Sequence, residues 1–173
     1  MLISPADPYA PPVMLEEEVT ELFELLRDPL FRYLLSFGLS VQDGEEIIQE
    51  VFLALFQHLR NGKPRANLRG WVFRVGHNLA LKVRQRSGAP STQAGSRVVD
   101  GSPDPEQQAL YNQRQQRMSA VIRALPRQDR ACLALRAEGI RYREIAEILG
   151  VSLGTVALSL ERSLTKLGRV HER

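Results

Sequence analysis

Residues 87–105, SGAPSTQAGSRVVDGSPDP, divide the chain into two blocks and set the terms for everything else. Small, polar and turn-forming residues dominate there, and no apolar residue recurs with the period of a helix or a strand, which is linker composition. On either side apolar residues return at three- and four-residue steps, the spacing of helices with one buried face. No segment alternates apolar and polar residues convincingly enough for a strand. The expected fold is all-α: two small helical domains joined by a flexible linker, the second containing a helix-turn-helix. The expected boundaries are a disordered arm over 1–14, rich in proline (Pro5, Pro8, Pro11, Pro12), a first domain over 15–86, the linker over 87–108 and a second domain over 109–173. Domains of roughly 70 residues bury only about 60% of their unfolded surface, so a partner matters to them.

In the first block Leu15, Val19, Leu22, Phe23 and Leu26 form one apolar stripe, and Leu30, Phe31, Leu34, Leu35 and Phe37 a second. Asp28-Pro29 between them predicts a break or restart, and Gly38 a stop. Asp43 is expected to open the next helix, whose inner stripe is Ile47, Ile48, Val51, Phe52, Leu55 and Leu59. Asn61-Gly62-Lys63-Pro64 ends it. A further helix is predicted from about Leu68 to Arg86. Trp71, Val75, Leu79 and Val83 are its expected core face, which leaves Phe73 as the better ring for stacking.

In the second block Pro126 is expected at the first position of a helix that Gly139 stops. Tyr142–Leu149 reads as a short helix and Leu153–Leu167 as the last one. Between them, Gly150 supplies a left-handed residue and Ser152 a cap, while Ile145, Leu149, Val151, Val156 and Leu160 fill the wedge. This is the logic of a helix-turn-helix, whose second helix is free to enter a groove. On that helix Thr155, Ser159, Arg162, Lys166 and Arg169 fall on one expected face.

Charge is unevenly spread. Residues 1–59 sum to −9, residues 60–100 to +8 and residues 101–173 to +4, and 20 of the 23 basic side chains are Arg. Arg suits forked contacts to phosphate and base edges. An acidic block beside a basic one points to two partner surfaces. Glu46, Gln49, Glu50 and Leu53, with Gln57, lie on the outer face of the helix after Asp43, an acidic front with one exposed Leu, suited to a basic protein. Lys63 and Arg65 in the following loop, with Arg69, Arg74, His77, Asn78 and Arg84, form the basic block.

Other classes are set aside. No apolar run approaches the roughly 20 residues of a bilayer span, and residues 1–10 lack the pattern of a secretory signal. The single cysteine, Cys132, fits a reducing compartment and a packing role. No phosphate loop, zinc-protease pair or nucleophile elbow is present, so an enzyme is not expected. The three His residues match no metal-ligand spacing, and no cofactor is expected.

With these pieces in hand, the chain resembles bacterial alternative sigma factors of the extracytoplasmic-function type. Asp43-Gly-Glu-Glu-Ile-Ile-Gln-Glu-Val-Phe52 is similar to the family's acidic helix. Asn67-Leu-Arg-Gly-Trp-Val-Phe-Arg-Val-Gly-His-Asn-Leu-Ala80 is similar to its strand-melting helix. Ala124-Leu-Pro126 followed by Arg141–Val156 is similar to its fourth region. The resemblance implies binding to core RNA polymerase through Glu46, Gln49, Glu50 and Leu53. It implies minus-ten recognition by Lys63, Arg65, Asn67, Arg69, Phe73, Arg74, His77, Asn78 and Arg84, and minus-thirty-five recognition by Arg141, Thr155, Leu158, Ser159, Arg162 and Lys166. Promoter DNA, core polymerase and an anti-sigma factor are the implied partners, with no membrane insertion, in the cytoplasm at the nucleoid. The last helix departs from the family in carrying Ala157 and Leu158 where Lys and Ser are common. Leu158 suits a thymine methyl or a protein surface, and weak, salt-sensitive duplex binding is expected. The competing reading is a stand-alone helix-turn-helix regulator or adaptor that does not engage polymerase.

Overall fold

The computed structural model describes residues 12–88 and 104–171. Seven helices are found there: α1 Pro12–Ser36, α2 Val41–Arg60, α3 Leu68–Ser87, α4 Pro105–Ala124, α5 Arg127–Ala137, α6 Tyr142–Leu149 and α7 Leu153–His171. There is no strand among the described residues. Helices α1–α3 pack on one another as a first unit, and α4–α7 as a second. Most of the expected arm and linker lies outside the described residues. At their edges, Pro12–Met14 already belong to α1, and residues 105–108 form the first turn of α4 under an Asp104 cap.

Helix α1 does not break at Pro29, contrary to expectation. Pro costs about 3 kcal/mol inside a helix. Against this stand Leu26, Leu30, Tyr33 and Leu34, all essentially buried on one stripe. Each such side chain contributes about 1.5–3 kcal/mol, enough to carry the helix through. The carbonyl that Pro29 leaves without its helical donor belongs to Leu25, on the exposed face. Gly38, in a left-handed conformation (φ 88°), ends the helix as expected.

Helix α2 begins two residues before Asp43. Ser40 caps it, its Oγ accepting from the Asp43 N–H at 3.0 Å while its hydroxyl donates to the Asp43 carboxylate at 2.7 Å. The inner stripe is the expected one, from Ile47 to Leu59.

Helix α3 is turned relative to the expected face. Val72, Phe73, Gly76, His77 and Ala80 are buried, and Trp71, Val75, Leu79 and Val83 are only half-buried. Apolar residues lie on both sides of this helix, so period alone does not choose. Two contacts do. Gly76 lets α1 come close, since a Cβ there would stand 2.8 Å from Leu30 Cδ1. His77 finds a partner in the buried Tyr33, with Nδ1 and Oη 2.7 Å apart. Around that pair the Tyr33 and Phe73 rings are 5.9 Å apart, and Phe37 meets His77 edge-on at 5.3 Å.

In the second unit, α4 exposes nearly every side chain from Pro105 to Arg117 and joins the others only near its end. Pro126 precedes α5 instead of opening it, standing at the cap position. Gly139 (φ 80°) closes α5, its N–H donating to the Arg136 carbonyl at 2.9 Å and that of Ile140 to Leu135 at 3.1 Å. The α6–α7 corner follows the expected mechanics. Gly150 is left-handed (φ 65°), and Ser152 Oγ accepts from the Thr155 N–H at 3.1 Å. The two units are not separate: α3 packs on α6 and α1 on α5, and Cys132, Leu135 and Ile140 join the same buried cluster as Tyr33 and Phe73.

Substituting Gly76→Val should destabilise the protein by about 1–3 kcal/mol, because the added side chain forces the fully buried Leu30 to shift. Urea unfolding monitored by circular dichroism measures it.

Candidate functional site

Glu46, Gln49, Glu50, Leu53 and Gln57 all lie on the solvent face of α2, as the sequence predicts. Leu53 is 60% exposed amid these polar neighbours. An apolar side chain framed by carboxylates has the chemistry that would suit a basic protein partner.

The basic block is sorted into two sets. Lys63, Asn67, Arg69, Arg74 and Asn78 reach solvent. Asn67 also builds the site: it is left-handed (φ 54°), and its side chain accepts from the Gly70 N–H at 3.1 Å, starting α3. The second set is half-buried and already engaged by groups of the protein. Arg65 pairs with Glu18 of α1. Arg84 donates to the Phe37 carbonyl at 2.9 Å and lies 5.0 Å over the Phe37 ring. Burial, with Arg127 and Arg130 nearby, pushes the Arg84 guanidinium below its ordinary value.

Two predicted contact residues are corrected outright. Phe73, expected to stack on a base, is 0% exposed, and His77 is packed against Tyr33 and Phe37. The available ring is Trp71, expected in the core. It is half-buried, sits 4.7 Å from the His58 ring, and forms a cleft with Asn67, Gly70 and Arg74. His58 itself bonds the Pro64 carbonyl at 2.9 Å. Among the described residues no group of three His, Cys, Asp or Glu side chains suits a metal ion.

On the second unit Arg141, Leu158 and Lys166 are exposed and Thr155 half-buried. Arg141 also starts α6, its N–H donating to Glu144 Oε2 at 2.9 Å. Ser159 is fully buried with Val156 and Leu160, so it is not on the expected contact face. Ser is short enough to tuck into the core, where its hydroxyl accepts from Arg162 Nη2 at 3.4 Å, which face counting does not see. Arg162 is committed to the buried Asp129 of α5, through Nη2–Oδ1 at 2.7 Å and Nε–Oδ2 at 3.2 Å. That hydrogen-bonded guanidinium holds the Asp129 carboxyl below its ordinary value. To solvent α7 presents Leu153, Leu158 and Leu164 among polar side chains that include Glu161, Thr165 and Lys166.

Sequence reasoning missed the acids opposite the basic helix. Glu144 and Glu147 of α6 line the Trp71 cleft from the other side. Glu138, at the end of α5, receives Arg32 through both carboxylate oxygens, at 2.9 and 2.8 Å, and its carbonyl accepts from Arg69. Nothing in their spacing signals this, because the contacts span 69 and 106 residues of chain.

Residues 22–89 match the family model "Sigma-70 region 2", and residues 115–167 match "Sigma-70, region 4". The chain belongs to the sigma-70 family. The acidic front and the basic helix thus fall in region 2, and the helix-turn-helix in region 4. Among curated relatives, the ECF RNA polymerase sigma factor SigE of Mycolicibacterium smegmatis is 33% identical over 152 residues, covering 83% of this chain and 59% of the relative. The probable RNA polymerase sigma factor RfaY of Xanthomonas campestris is 31% identical over 72% of this chain, which spans only 33% of it. The ECF RNA polymerase sigma factor RpoE of Cereibacter sphaeroides is 25% identical over 88% of this chain and 85% of the relative. Two solved structures share the fold. CnrH, in complex with the cytosolic domain of CnrY, has a TM-score of 0.62 at 21% identity over 91% of this chain and 89% of its own. RpoE of Bartonella quintana, in complex with the anti-sigma factor NepR, has a TM-score of 0.63 at 17% identity over 90% and 98%.

The buried His77 gives a pH test of its own placement in the core. Burial lowers its pKa, so the folded chain takes up the proton later than the unfolded chain, which does so near pH 6.5. The unfolded state then binds more protons in that window, and stability should be lost as pH falls from about 6.5 through the depressed value. Urea midpoints between pH 7.5 and 5 should show this decline, and His77→Gln should flatten it. An unchanged pH profile in the variant would contradict the buried placement.

Proposed function

We propose that this chain is a sigma factor that binds core RNA polymerase and directs promoter recognition, strand opening and transcription initiation. It does so by binding and positioning, without chemistry of its own, in the bacterial cytoplasm at the nucleoid. The observation that carries this reading is the order of surfaces in the first unit: an exposed acidic front on α2, then a basic loop and a helix with an accessible ring and amide. Domain boundaries near those expected, about 15–86 and 109–173, belong to the same reading.

In this reading Glu46, Gln49, Glu50 and Leu53 dock a basic helical element of polymerase. Lys63, Arg69 and Arg74 attract the phosphates of an opened strand. Trp71 stacks a base that has left the duplex, and Asn67 and Asn78 offer amides to base edges. Opening costs a few kcal/mol per base, and stacking on an aromatic ring returns about 1–3 kcal/mol of it. Phe73 and His77 support this surface from beneath instead of touching nucleotide. For the minus-thirty-five element Arg141, Thr155, Leu158 and Lys166 remain, while Arg162 holds α7 against α5. So few cations favour weak, salt-sensitive duplex contact that polymerase must reinforce. The solved neighbours were captured with the cytosolic domain of CnrY and with the anti-sigma factor NepR, and an anti-sigma partner is inferred for this chain as well.

Reconstituted transcription with core polymerase tests the reading. Glu50→Arg should abolish holoenzyme formation and leave unfolding unchanged within about 0.5 kcal/mol, as for other surface substitutions. Polymerase binding at wild-type strength would sink the docking assignment. Trp71→Ala should bind polymerase normally but form open promoter complexes roughly 5- to 150-fold less favourably, the range for one lost stacking contact.

A further inference from the structure

Where α3 meets α5, arginines of the two units gather around one point. Arg127 and Arg130 stand three residues apart on the first turns of α5, so they share a face of that helix. Arg84 of α3 comes toward them from the other unit. Burial, and then the charges of Arg127 and Arg130, disfavour its cation. Neutral oxygens hold two of these side chains in place. Arg84 rests on the Phe37 carbonyl at 2.9 Å and over the Phe37 ring, just past the end of α1. Arg130 Nη1 donates to the Arg123 carbonyl, in the last turn of α4, at 3.1 Å. Helix C-termini carry partial negative charge, which draws each cation to its place. Neither anchor cancels a full charge, and each uses only one of the five N–H donors of a guanidinium. Asp129, between the two α5 arginines, is buried against Arg162. Among the described residues no carboxylate pairs with Arg84, Arg127 or Arg130. Arg127 is exposed and the other two are half-buried, so a dissolved anion can reach all of them. Like charges gathered in this way repel, and an anion bound among them relieves the repulsion while taking the remaining donors.

We propose that Arg84, Arg127 and Arg130 form a binding site for an oligophosphate group, the phosphate chain of inorganic tripolyphosphate or of a nucleoside triphosphate. Planar forks converging from two helices suit a compact ligand with several adjacent negative charges, and each fork can take two phosphate oxygens side by side. A single nucleic-acid strand carries one charge per nucleotide, so fewer of its charges fit into so small a cluster. Because the donors come from both units, the ligand stabilises the arrangement in which α3 and α5 are neighbours, by mass action. In the proposed function none of these arginines touches polymerase or promoter, so the site is independent of that reading.

Isothermal titration calorimetry of the full chain, near physiological ionic strength and without magnesium, tests the site. Tripolyphosphate should bind one to one, and saturating amounts should raise the urea midpoint of unfolding. Arg127→Ala removes an exposed side chain, and Arg130→Gln keeps a donor for the Arg123 carbonyl. Each should weaken binding at least tenfold, the scale of a lost charge-assisted contact. Arg114→Ala, exposed on the unpacked half of α4, makes the same change in net charge and should alter affinity less than about twofold. Equal affinity for ATP and tripolyphosphate would identify the phosphate chain alone as what is read. Tighter binding of ATP would add contacts from base and sugar, and either result upholds the site. No saturation by either ligand below about 1 mM would overturn it. Unchanged affinity in both α5 variants, or an equal loss in Arg114→Ala, would overturn it too. So would a mixed-sequence single-stranded oligonucleotide that binds more tightly than tripolyphosphate and loses affinity in the same two variants, which would make the cluster a strand contact.

Discussion

The 2.7 Å contact between Tyr33 and His77 fixes how α3 is rotated about its own axis. A helix with apolar residues all round can bury several faces, and hydrophobicity does not rank them. A buried imidazole and a buried phenol each need a hydrogen-bond partner, and leaving one without costs about 1–3 kcal/mol. Together they are satisfied only when Phe73, His77 and Ala80 point inward. Burial pushes the Tyr33 hydroxyl up and His77 down, so both stay neutral over the physiological range. With that side committed, Trp71, Arg74 and Asn78 have to face outward or into the cleft. The chemistry on the outer surface follows from the polar pair inside.

The acidic front on α2 was legible in the sequence because that helix is simple: seven positions from Gly44 to Leu59 are buried, and the polar residues between them face out. Caps and glycine stops in the second unit were legible for a similar reason, since each acts within four residues. The helix-turn-helix corner is built from such local bonds throughout. Besides the rotation of α3 and the acids opposite it, three things were not legible. Pro29 sits mid-helix because distant side chains outweigh a local penalty. Ser159 is buried because so short a side chain packs in with Val156 and Leu160 while its hydroxyl accepts from Arg162. Arg162 looks like a surface cation but meets Asp129, 33 residues earlier, whose carboxylate is 1% exposed. For Arg162 the deciding partner lies far away in the chain, and for Pro29 and Ser159 it is the packing of the surrounding core.

Charge illustrates the same divide. Block sums of −9, +8 and +4 describe the chain as a strip. Folding sets part of the positive strip against two carboxylates and one backbone carbonyl of the second unit, and another part near two more arginines. A surface called basic from composition is thus neutralised in one place and crowded in another. The net charge of a segment states how much cation is present, not how much is available.

Helix α4 adds a mechanical consequence. From Pro105 to Arg117 it has almost no packing, and isolated helices shorter than about 12–15 residues are marginal in water. Each residue that leaves the helix lengthens its span from about 1.5 Å to about 3.3 Å. Unwinding this exposed stretch would pay out some 20 Å of additional tether between the two units, at the cost of hydrogen bonds that water replaces. The connection can thus change length at little energetic expense, so that the reach of the second unit follows the distance its targets impose.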